Sequence, residues 1–557
     1  VLALSVSTAA IGLSAYLLAL GIWTYGPSPI WNDSITYLHT ALNLWRGEGL
    51  ALFRYDPTAD VVLRFPLSHY PPLVPVIYAF GLSLGLSLPQ VPSAVALVSW
   101  VLLLVGIGVL ATRLGRSPVA GAAAVLVASL TYGLWDIFQW VMSEVVFLPL
   151  LVWLMVALID LPQQQTGRWP RFVIAVFLLA LLPLTRYVGL MVLAAVGLWW
   201  GWHWWHSRRR FAVLVQEGAI LSVAALPMVG WMLYNWFFVE GAVGLHTETS
   251  SYDLLDGLTA LSYESPQVLL PSIHPIRLYA HVGPAFLLVY LTIAAVAIFL
   301  AWCYRPAVQL WRRPPRTPLL VFLVLYLLLY TVAQPFMSFW PIDTRDMTSV
   351  LCLTIPWSLG MVAVYLPPRR ATLLLVGYVA LNGAFAFGPT VYKGMLNGPP
   401  EWVSLVPPRI ETLANRNLSP ESPVFSAGFL GWLMVMPVRT ADLANHHPDL
   451  LEYVQGLPSN TVFLTNEPLL LVPYVSGPVE HLSRYSRQPG IPAHQAIIPW
   501  LKEGRCRSHQ PVVIVVFDWD YLSRDAAQTR QAVQQKCPDL PKQVFEHSTV
   551  YQLVAEE

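Results

Sequence analysis

Long blocks of apolar residues recur along residues 1–390 of this chain, among them Val95 to Leu110, Ala285 to Trp302 and Leu319 to Val332. A helix needs ~17 to 25 such residues to cross ~30 Å of hydrocarbon, because each residue advances it by only about 1.5 Å. So many blocks cannot share one water-soluble core. Of the 557 residues 56% are hydrophobic and 11% charged, against about 25% charged in an ordinary soluble domain. The bilayer is therefore the solvent for most of the chain. Leu4 to Trp23 is longer than a signal-peptide core and no small-residue cleavage site follows it, so it reads as a retained first span.

The loops between the blocks alternate in charge. One set carries Arg113 and Arg116, Arg168 and Arg171, Arg208 to Arg210, Arg305 with Arg312, Arg313 and Arg316, and Arg369 with Arg370, with Asp160 the main acidic exception. The other holds Asp33, Glu48, Asp56, Asp60, Asp136, Glu144, Glu240, Asp343 and Asp346. Basic loops stay in the cytoplasm, so the acidic set is expected outside. That alternation predicts spans at Leu4–Tyr25, Pro92–Thr112, Val119–Tyr132, Val145–Ile159, Phe172–Thr185, Tyr187–Trp202, Phe211–Phe238, His281–Tyr304, Leu319–Phe336, Thr348–Leu366 and Ala371–Val391. Pro71 to Leu88 is also apolar, but a full crossing there would put Arg113 and Arg116 outside, so it reads as an interfacial or half-inserted helix.

The expected architecture is a polytopic α-helical membrane protein of about eleven transmembrane helices. These occupy residues 1–395, with residues 26–91 as the first outer loop, the amino terminus cytoplasmic and the tail outside. Prolines at 399, 400, 407 and 408 mark a linker. Beyond it, β-rich runs Thr461–Thr465, Val512–Phe517 and Thr549–Val554 alternate with polar helical stretches such as Arg524–Lys536, which predicts a small extracytoplasmic α/β domain over 396–557.

A net charge of +1 without a clustered basic face gives no support to nucleic-acid binding. Cys303 and Cys352 lie in apolar spans, whereas Cys506 and Cys537 share the polar tail and can pair if it faces an oxidising compartment. His203 and His206 stand among tryptophans as an interfacial belt, and His446-His447 lacks spaced metal-ligating partners. Gly47 to Gly49 follows no strand and no Walker sequence occurs, so neither a nucleotide-binding loop nor an ATP-driven pump is indicated.

The first outer loop carries the strongest chemical signal. Trp31-Asn32-Asp33-Ser34-Ile35-Thr36-Tyr37-Leu38 opens an amphipathic helix, Gly47-Glu48-Gly49-Leu50 follows, and the loop ends in His69-Tyr70-Pro71-Pro72-Leu73. Taken alone, Asp33 is either a helix cap or a functional carboxylate. The succession of first span, Asp33, a Tyr-x3-Ala-x2-Leu helix, Gly-x-Gly-Leu and Tyr-Pro-Pro-Leu resembles the opening of the GT-C superfamily of integral membrane glycosyltransferases. Within that superfamily it most resembles the polyprenyl-phosphate-sugar-dependent group that includes protein O-mannosyltransferases and aminoarabinose transferases. Thr185-Arg186-Tyr187-Val188-Gly189-Leu190 resembles a second signature, and Ser143-Glu144 stands where the second-loop acidic motif is expected. The usual Asp-Glu pair of the first loop reads Asp33-Ser34 here, which withdraws support for a bound divalent metal; no cofactor is expected.

The resemblance implies transfer of a sugar, with inversion, from a polyprenyl-phosphate carrier to an acceptor hydroxyl on the outer face. Such a reaction needs a base and cations for the departing phosphate. Asp33 would be the base. Arg186 and Arg345 would bind the donor phosphate, since guanidinium presents a planar fork of donors and keeps its charge beside hydrocarbon. Each has a plainer alternative: Arg186 as a snorkelling anchor, Arg345 paired within Asp343-Thr344-Arg345-Asp346. Asp136 and Glu144 either orient substrate hydroxyls or are solvated loop carboxylates; His69, Tyr70 and Tyr187 either line the cavity or anchor the interface. The partners would be membrane lipids, the lipid-linked donor and an acceptor of unspecified class, alone or within a membrane complex. Two other classes compete: a catalytically silent GT-C-like accessory subunit, which the altered Asp33-Ser34 pair would suit, and a transporter of lipid-linked substrates. The latter calls for mid-span charges and matching broken helices, whereas the charges here gather at one face.

Overall fold

The computed structural model describes residues 2–25, 32–56, 61–68, 70–159, 168–207, 211–238, 271, 322–328, 344–397, 448–465, 471, 474–475, 477–481, 506–508, 510–517, 523–545 and 548–555. The helices are α1 (Leu2–Tyr25), α2 (Asn32–Trp45), α3 (Leu73–Ser83), α4 (Gln90–Gly115), α5 (Pro118–Ser129), α6 (Tyr132–Gln139), α7 (Glu144–Ile159), α8 (Arg168–Thr185), α9 (Gly189–Ser207), α10 (Phe211–Phe238), α11 (Thr344–Tyr365), α12 (Pro368–Asn397), α13 (Pro448–Gln455) and α14 (Ser523–Lys536). Every expected span that falls on described residues is helical. His281–Tyr304 lies outside them, and Leu319–Phe336 is described only over 322–328, where it is helical. Among the described residues four helices are individually long and apolar enough to cross a membrane, or five if the bent pair α5–α6 is one broken span. The chain is thus a polytopic helical membrane protein with a sheet region in its C-terminal part.

Helix α4 is the axis of the bundle, with α5, α7 and α11 packed around it. Its Trp100 is fully buried, donates from Nε1 to Ser14 Oγ on α1 at 3.1 Å, and meets the rings of Trp135 and Phe138 at 4.9 and 5.0 Å. Helices in lipid gain nothing from hiding apolar surface from one another, so close backbone approach has to hold them. At Gly360 of α11 an added Cβ would lie 2.8 Å from Leu114 Cβ and 3.2 Å from the Gly115 nitrogen of α4. Side chains that a soluble protein would hide stay exposed and face lipid: Val98 and Leu102 on α4, Leu226, Leu233 and Phe237 on α10, Leu373 and Val376 on α12.

The expected bend between the spans now called α5 and α7 is not a plain loop. Residues 132–139 form α6, which turns away from α5 by 61°. The apolar block after residue 71 forms α3, whose 11 residues reach only about 16 Å. Its exposed Val76 and Phe80, and Leu84 just after its end, recur every fourth position.

Between α2 and α3 lies an element that sequence reading missed, the antiparallel hairpin β1 (Ala51–Asp56) and β2 (Val61–Pro66), in register Ala51↔Pro66 to Asp56↔Val61. Asn43 Nδ2 of α2 donates to Ala51 O at 2.8 Å and ties the hairpin to the helix.

The C-terminal part builds β3 (Val462–Thr465), β4 (Val479–His481), β5 (Arg507–Ser508), β6 (Val512–Phe517), β7 (Lys542–Phe545), β8 (Ser548–Gln552) and β9 (Val554–Ala555). The main sheet has the order β4-β3-β6-β8-β7, with β4, β3 and β6 parallel and β8 and β7 antiparallel. Central strand β6 is apolar throughout because both its faces are covered. Val512, Ile514 and Val516 pack with Ala526 and Val533 of α14, while Val513, Val515 and Phe517 join a cluster that runs through α13 to Tyr37, Leu38, Val74 and Tyr78 of α2 and α3. The sheet therefore rests on the first loop, and β1 reaches β4. Cys506 and Cys537 form a disulfide.

Within α2, His39 is buried and its Nε2 has no hydrogen-bond partner among the described residues. Burial, helped by the Arg46 charge, lowers its pKa from 6.5 to about 4. The unfolded loop takes up this proton below pH 6.5 and the folded loop only near pH 4. Stabilisation from the neutral ring is therefore complete above the higher value and is lost as pH falls through the lower one, a loss of roughly 3 kcal/mol. Protection factors of the α2 amides, with exchange corrected for its intrinsic pH dependence, should fall over that window in the wild type and not in His39→Phe; an equal fall in both proteins would refute the assignment.

Candidate functional site

Among the described residues, three helices that begin at one end of the bundle each carry an acid in the first turn: Asp33 on α2, Glu144 on α7 and Asp346 on α11. An acid there is favoured by the unpaired N–H groups and the partial positive charge of a helix start. Each acid also has a tertiary partner. Glu144 Oε1 lies 2.5 Å from Arg186 Nη1 and 2.9 Å from Arg345 Nε, so one carboxylate oxygen sits between two guanidinium groups. Arg186 Nη2 reaches Asp346 Oδ1 at 3.5 Å, and Arg345 Nη1 reaches Asp33 Oδ2 at 3.3 Å. The hydroxyl of Tyr70 donates to the other Asp33 oxygen at 2.7 Å.

The local structure aims these groups. Arg186 occupies the tight turn between α8 and α9, where its N–H donates to Leu182 O and its carbonyl accepts from Gly189 N. A Cβ at Gly189 would come within 2.4 to 2.6 Å of Pro183 N and of Leu182 C and O, so this turn accepts only glycine there. Arg345 is second in α11, where the helix end disfavours a cation, and its two carboxylate contacts offset that cost. Thr348 Oγ1 donates to Arg345 O at 2.5 Å and Ser143 Oγ to Glu144 Oε2 at 3.1 Å. Ser34 Oγ donates to Val141 O at 2.6 Å and binds the start of α2 to the turn before α7.

The cluster is graded in depth. Glu144 and Asp346 are buried and Arg186 nearly so, whereas the side chains of Arg345 and Asp33 remain 29% and 26% exposed. Among the described residues, three carboxylates against two guanidinium groups leave a formal charge of −1. Three helix starts at roughly +0.5 each bring the site close to balance, and the same N-termini suit an anionic ligand. Tyr70 has its pKa pushed up by burial and then by the Asp33 charge, so its hydroxyl stays a donor. Tyr37 packs edge-on against it at 5.1 Å and is pushed up by burial in the same way.

The structure thus brings together Asp33, Glu144, Arg186, Arg345 and Tyr70, which are scattered through the chain. Arg345 pairs with Asp33 and Glu144, from distant helices; Asp343 lies outside the described residues. Glu144 is a buried helix start and not a loop residue. Tyr187 stands beside the cluster at a second node, donating to Ser68 O at 3.0 Å and accepting from Trp231 and Asn235 at 3.4 and 3.5 Å. Asp136 stays on α6, where it accepts from Trp140 Nε1 at 3.0 Å, and no ion pair joins it to the cluster among the described residues. His69 lies outside the described residues. Sequence reading undervalued Asp346, Tyr37 and Ser143; only an acid in the first turn of a span hinted at the first of these. Among the described residues no group of three His, Cys, Asp or Glu is placed to hold a metal.

No protein-family model and no curated protein matches the sequence. Solved structures do match. ArnT from Cupriavidus metallidurans, in its undecaprenyl phosphate complex, superposes with a TM-score of 0.56 at 14% identity over 99% of this chain and 97% of its own. The Archaeoglobus fulgidus oligosaccharyltransferase in the apo form gives 0.52 at 12%, over 92% of this chain and 69% of its own. Arabinofuranosyltransferase AftD from Mycobacteria gives 0.51 at 13%, over 99% of this chain and 40% of its own. The chain has the GT-C fold. Within the GT-C fold, the first-loop helix α2 and the starts of α7 and α11 share one end of the bundle, where the ion cluster lies.

The depth gradient separates two kinds of ion pair. Breaking a buried pair strands the remaining charge and costs about 3–5 kcal/mol, while a partly exposed pair is worth ~1 kcal/mol or less. Glu144→Gln should therefore lower the unfolding free energy of the detergent-solubilised protein by about 3–5 kcal/mol and Asp33→Asn by under ~1 kcal/mol. Equal losses in the two variants would contradict this gradient.

Proposed function

We propose that the protein is an integral-membrane glycosyltransferase that moves a sugar from a polyprenyl-phosphate carrier to an acceptor hydroxyl. The observation that carries this reading is the meeting of Asp33, Arg345, Glu144 and Arg186 at one end of a GT-C bundle, with the Asp33–Arg345 pair on the accessible side. The glycosyl-transfer names of the structural neighbours, and the undecaprenyl phosphate bound to one of them, support the same class of donor.

The acceptor oxygen attacks the anomeric carbon from the face opposite the phosphate. As the new C–O bond forms, the bond from that carbon to the phosphate oxygen breaks, and its electron pair leaves with the lipid phosphate. The configuration inverts. The acceptor proton passes to the carboxylate of Asp33, which the Tyr70 hydroxyl orients. Arg345 meets the phosphate and neutralises the charge that grows on it; Arg186 adds positive potential from beneath while Glu144 fixes both guanidinium groups. Tyr187, beside the cluster, would line the substrate site, and Asp136 would orient substrate hydroxyls further away.

We also propose that the site lies on the extracytoplasmic side, with the amino terminus cytoplasmic and residues 396–557 forming an external domain that helps hold the acceptor. Arg113 and Arg116 at the end of α4 and Arg369 and Arg370 at the start of α12 support this. So do the Cys506–Cys537 disulfide, which suits an oxidising compartment, and the seating of the C-terminal sheet on the first loop.

Asp33→Asn keeps size and removes the base. Membranes carrying it should transfer labelled sugar from a polyprenyl-phosphate donor about 10²–10⁴-fold more slowly than wild type; transfer at the wild-type rate would sink the role given to Asp33. Arg186→Ala should weaken donor binding far more than acceptor binding, and an equal loss of both would point to a general loss of structure.

A further inference from the structure

The ion pair between Asp33 and Arg345 poses a difficulty for the reaction just described. A base whose oxygens are engaged by Arg345 and Tyr70 has little capacity left for the acceptor proton, and a guanidinium already paired is not free for phosphate. One exchange resolves both problems. Resting on the donor reading above, we propose that the donor phosphate displaces Asp33 from Arg345, so that the base is released only when the donor is in place.

Among the described contacts of the cluster, the geometry favours opening at this pair. Arg345 is anchored by Nε to Glu144 at 2.9 Å, so its guanidinium holds position when Nη1 lets go of Asp33 at 3.3 Å. Both partners of that contact keep more than a quarter of their side-chain surface exposed, whereas Glu144 is 2% exposed. The solvent-exposed contact yields first, because breaking the buried one would strand a charge away from water. A phosphodiester offers two anionic oxygens to a planar fork, and the starts of α2, α7 and α11 favour an anion at this end. Once displaced, Asp33 keeps the Tyr70 hydroxyl on its other oxygen, and the carboxylate stays oriented while one oxygen becomes available to the acceptor. The sequence of events is donor first, acceptor second, and an acceptor arriving alone meets a base that is occupied.

The exchange makes an unusual demand: loss of the catalytic carboxylate must strengthen binding of the lipid phosphate. Full-length protein in detergent is titrated with radiolabelled undecaprenyl phosphate as wild type, Asp33→Asn, Arg345→Gln and the double variant. Asp33→Asn should bind about fivefold more tightly than wild type, the factor that a partly exposed ion pair represents. In the Arg345→Gln background the same change should have no effect, because the competition is for Arg345. A gain in affinity cannot come from misfolding. Equal or weaker binding by Asp33→Asn overturns the exchange, as does the same gain in both backgrounds, which would reflect bulk repulsion between carboxylate and phosphate. Absence of saturable binding by wild type would remove the donor reading itself, and the exchange with it.

Discussion

One buried carboxylate organises this end of the molecule. Glu144 lies under two guanidinium groups, from the α8–α9 turn and from the start of α11, and its burial makes any other arrangement costly. A lone carboxylate or a lone arginine at that depth would be a severe penalty; together, and at helix starts that favour the acids, they are tolerated. Such a cluster contributes less to net stability than its number of contacts suggests. It specifies which helix ends meet, since no apolar residue could replace one member without stranding another.

Around that node the remaining structure serves placement. Glycine contacts let α11 lie close on α4, which fixes the height of Arg345 and Asp346. Gly189 closes the turn that presents Arg186. Asp33 is carried by α2, which is not a bundle helix; Ser34 binds it to the turn before α7, and the C-terminal sheet supports it from the other side through Tyr37 and Leu38. The accessible part of the cluster, the pair of Asp33 and Arg345, thus joins a loop helix to a bundle helix. A ligand that separates that pair acts on the joint between the two.

Much of this was legible in the chain as written. Apolar blocks of bilayer length and loops of alternating charge predicted a helical membrane protein, and the runs Val512–Phe517 and Arg524–Lys536 became β6 and α14. Asp33, Glu144, Arg186 and Arg345 stood out because charge beside long apolar runs is expensive and rarely idle. The β1–β2 hairpin escaped notice: its strands are short and mixed in character, and nothing local distinguishes a hairpin on a membrane surface from an irregular loop. Helix α6 escaped for a related reason, since eight residues carry too little periodicity to separate a helix from a turn.

Partnership is what the linear chain could not reveal. Composition and hydropathy act over tens of residues, so they determined the solvent, the helices and the presence of a separate C-terminal sheet region. The contact of Arg345 with Asp33 spans 312 positions, and it depends on where α2, α7 and α11 begin relative to one another in space. Only packing of the bundle set those three starts side by side, and with them the difference in burial that keeps one ion pair shut and leaves the other open to solvent.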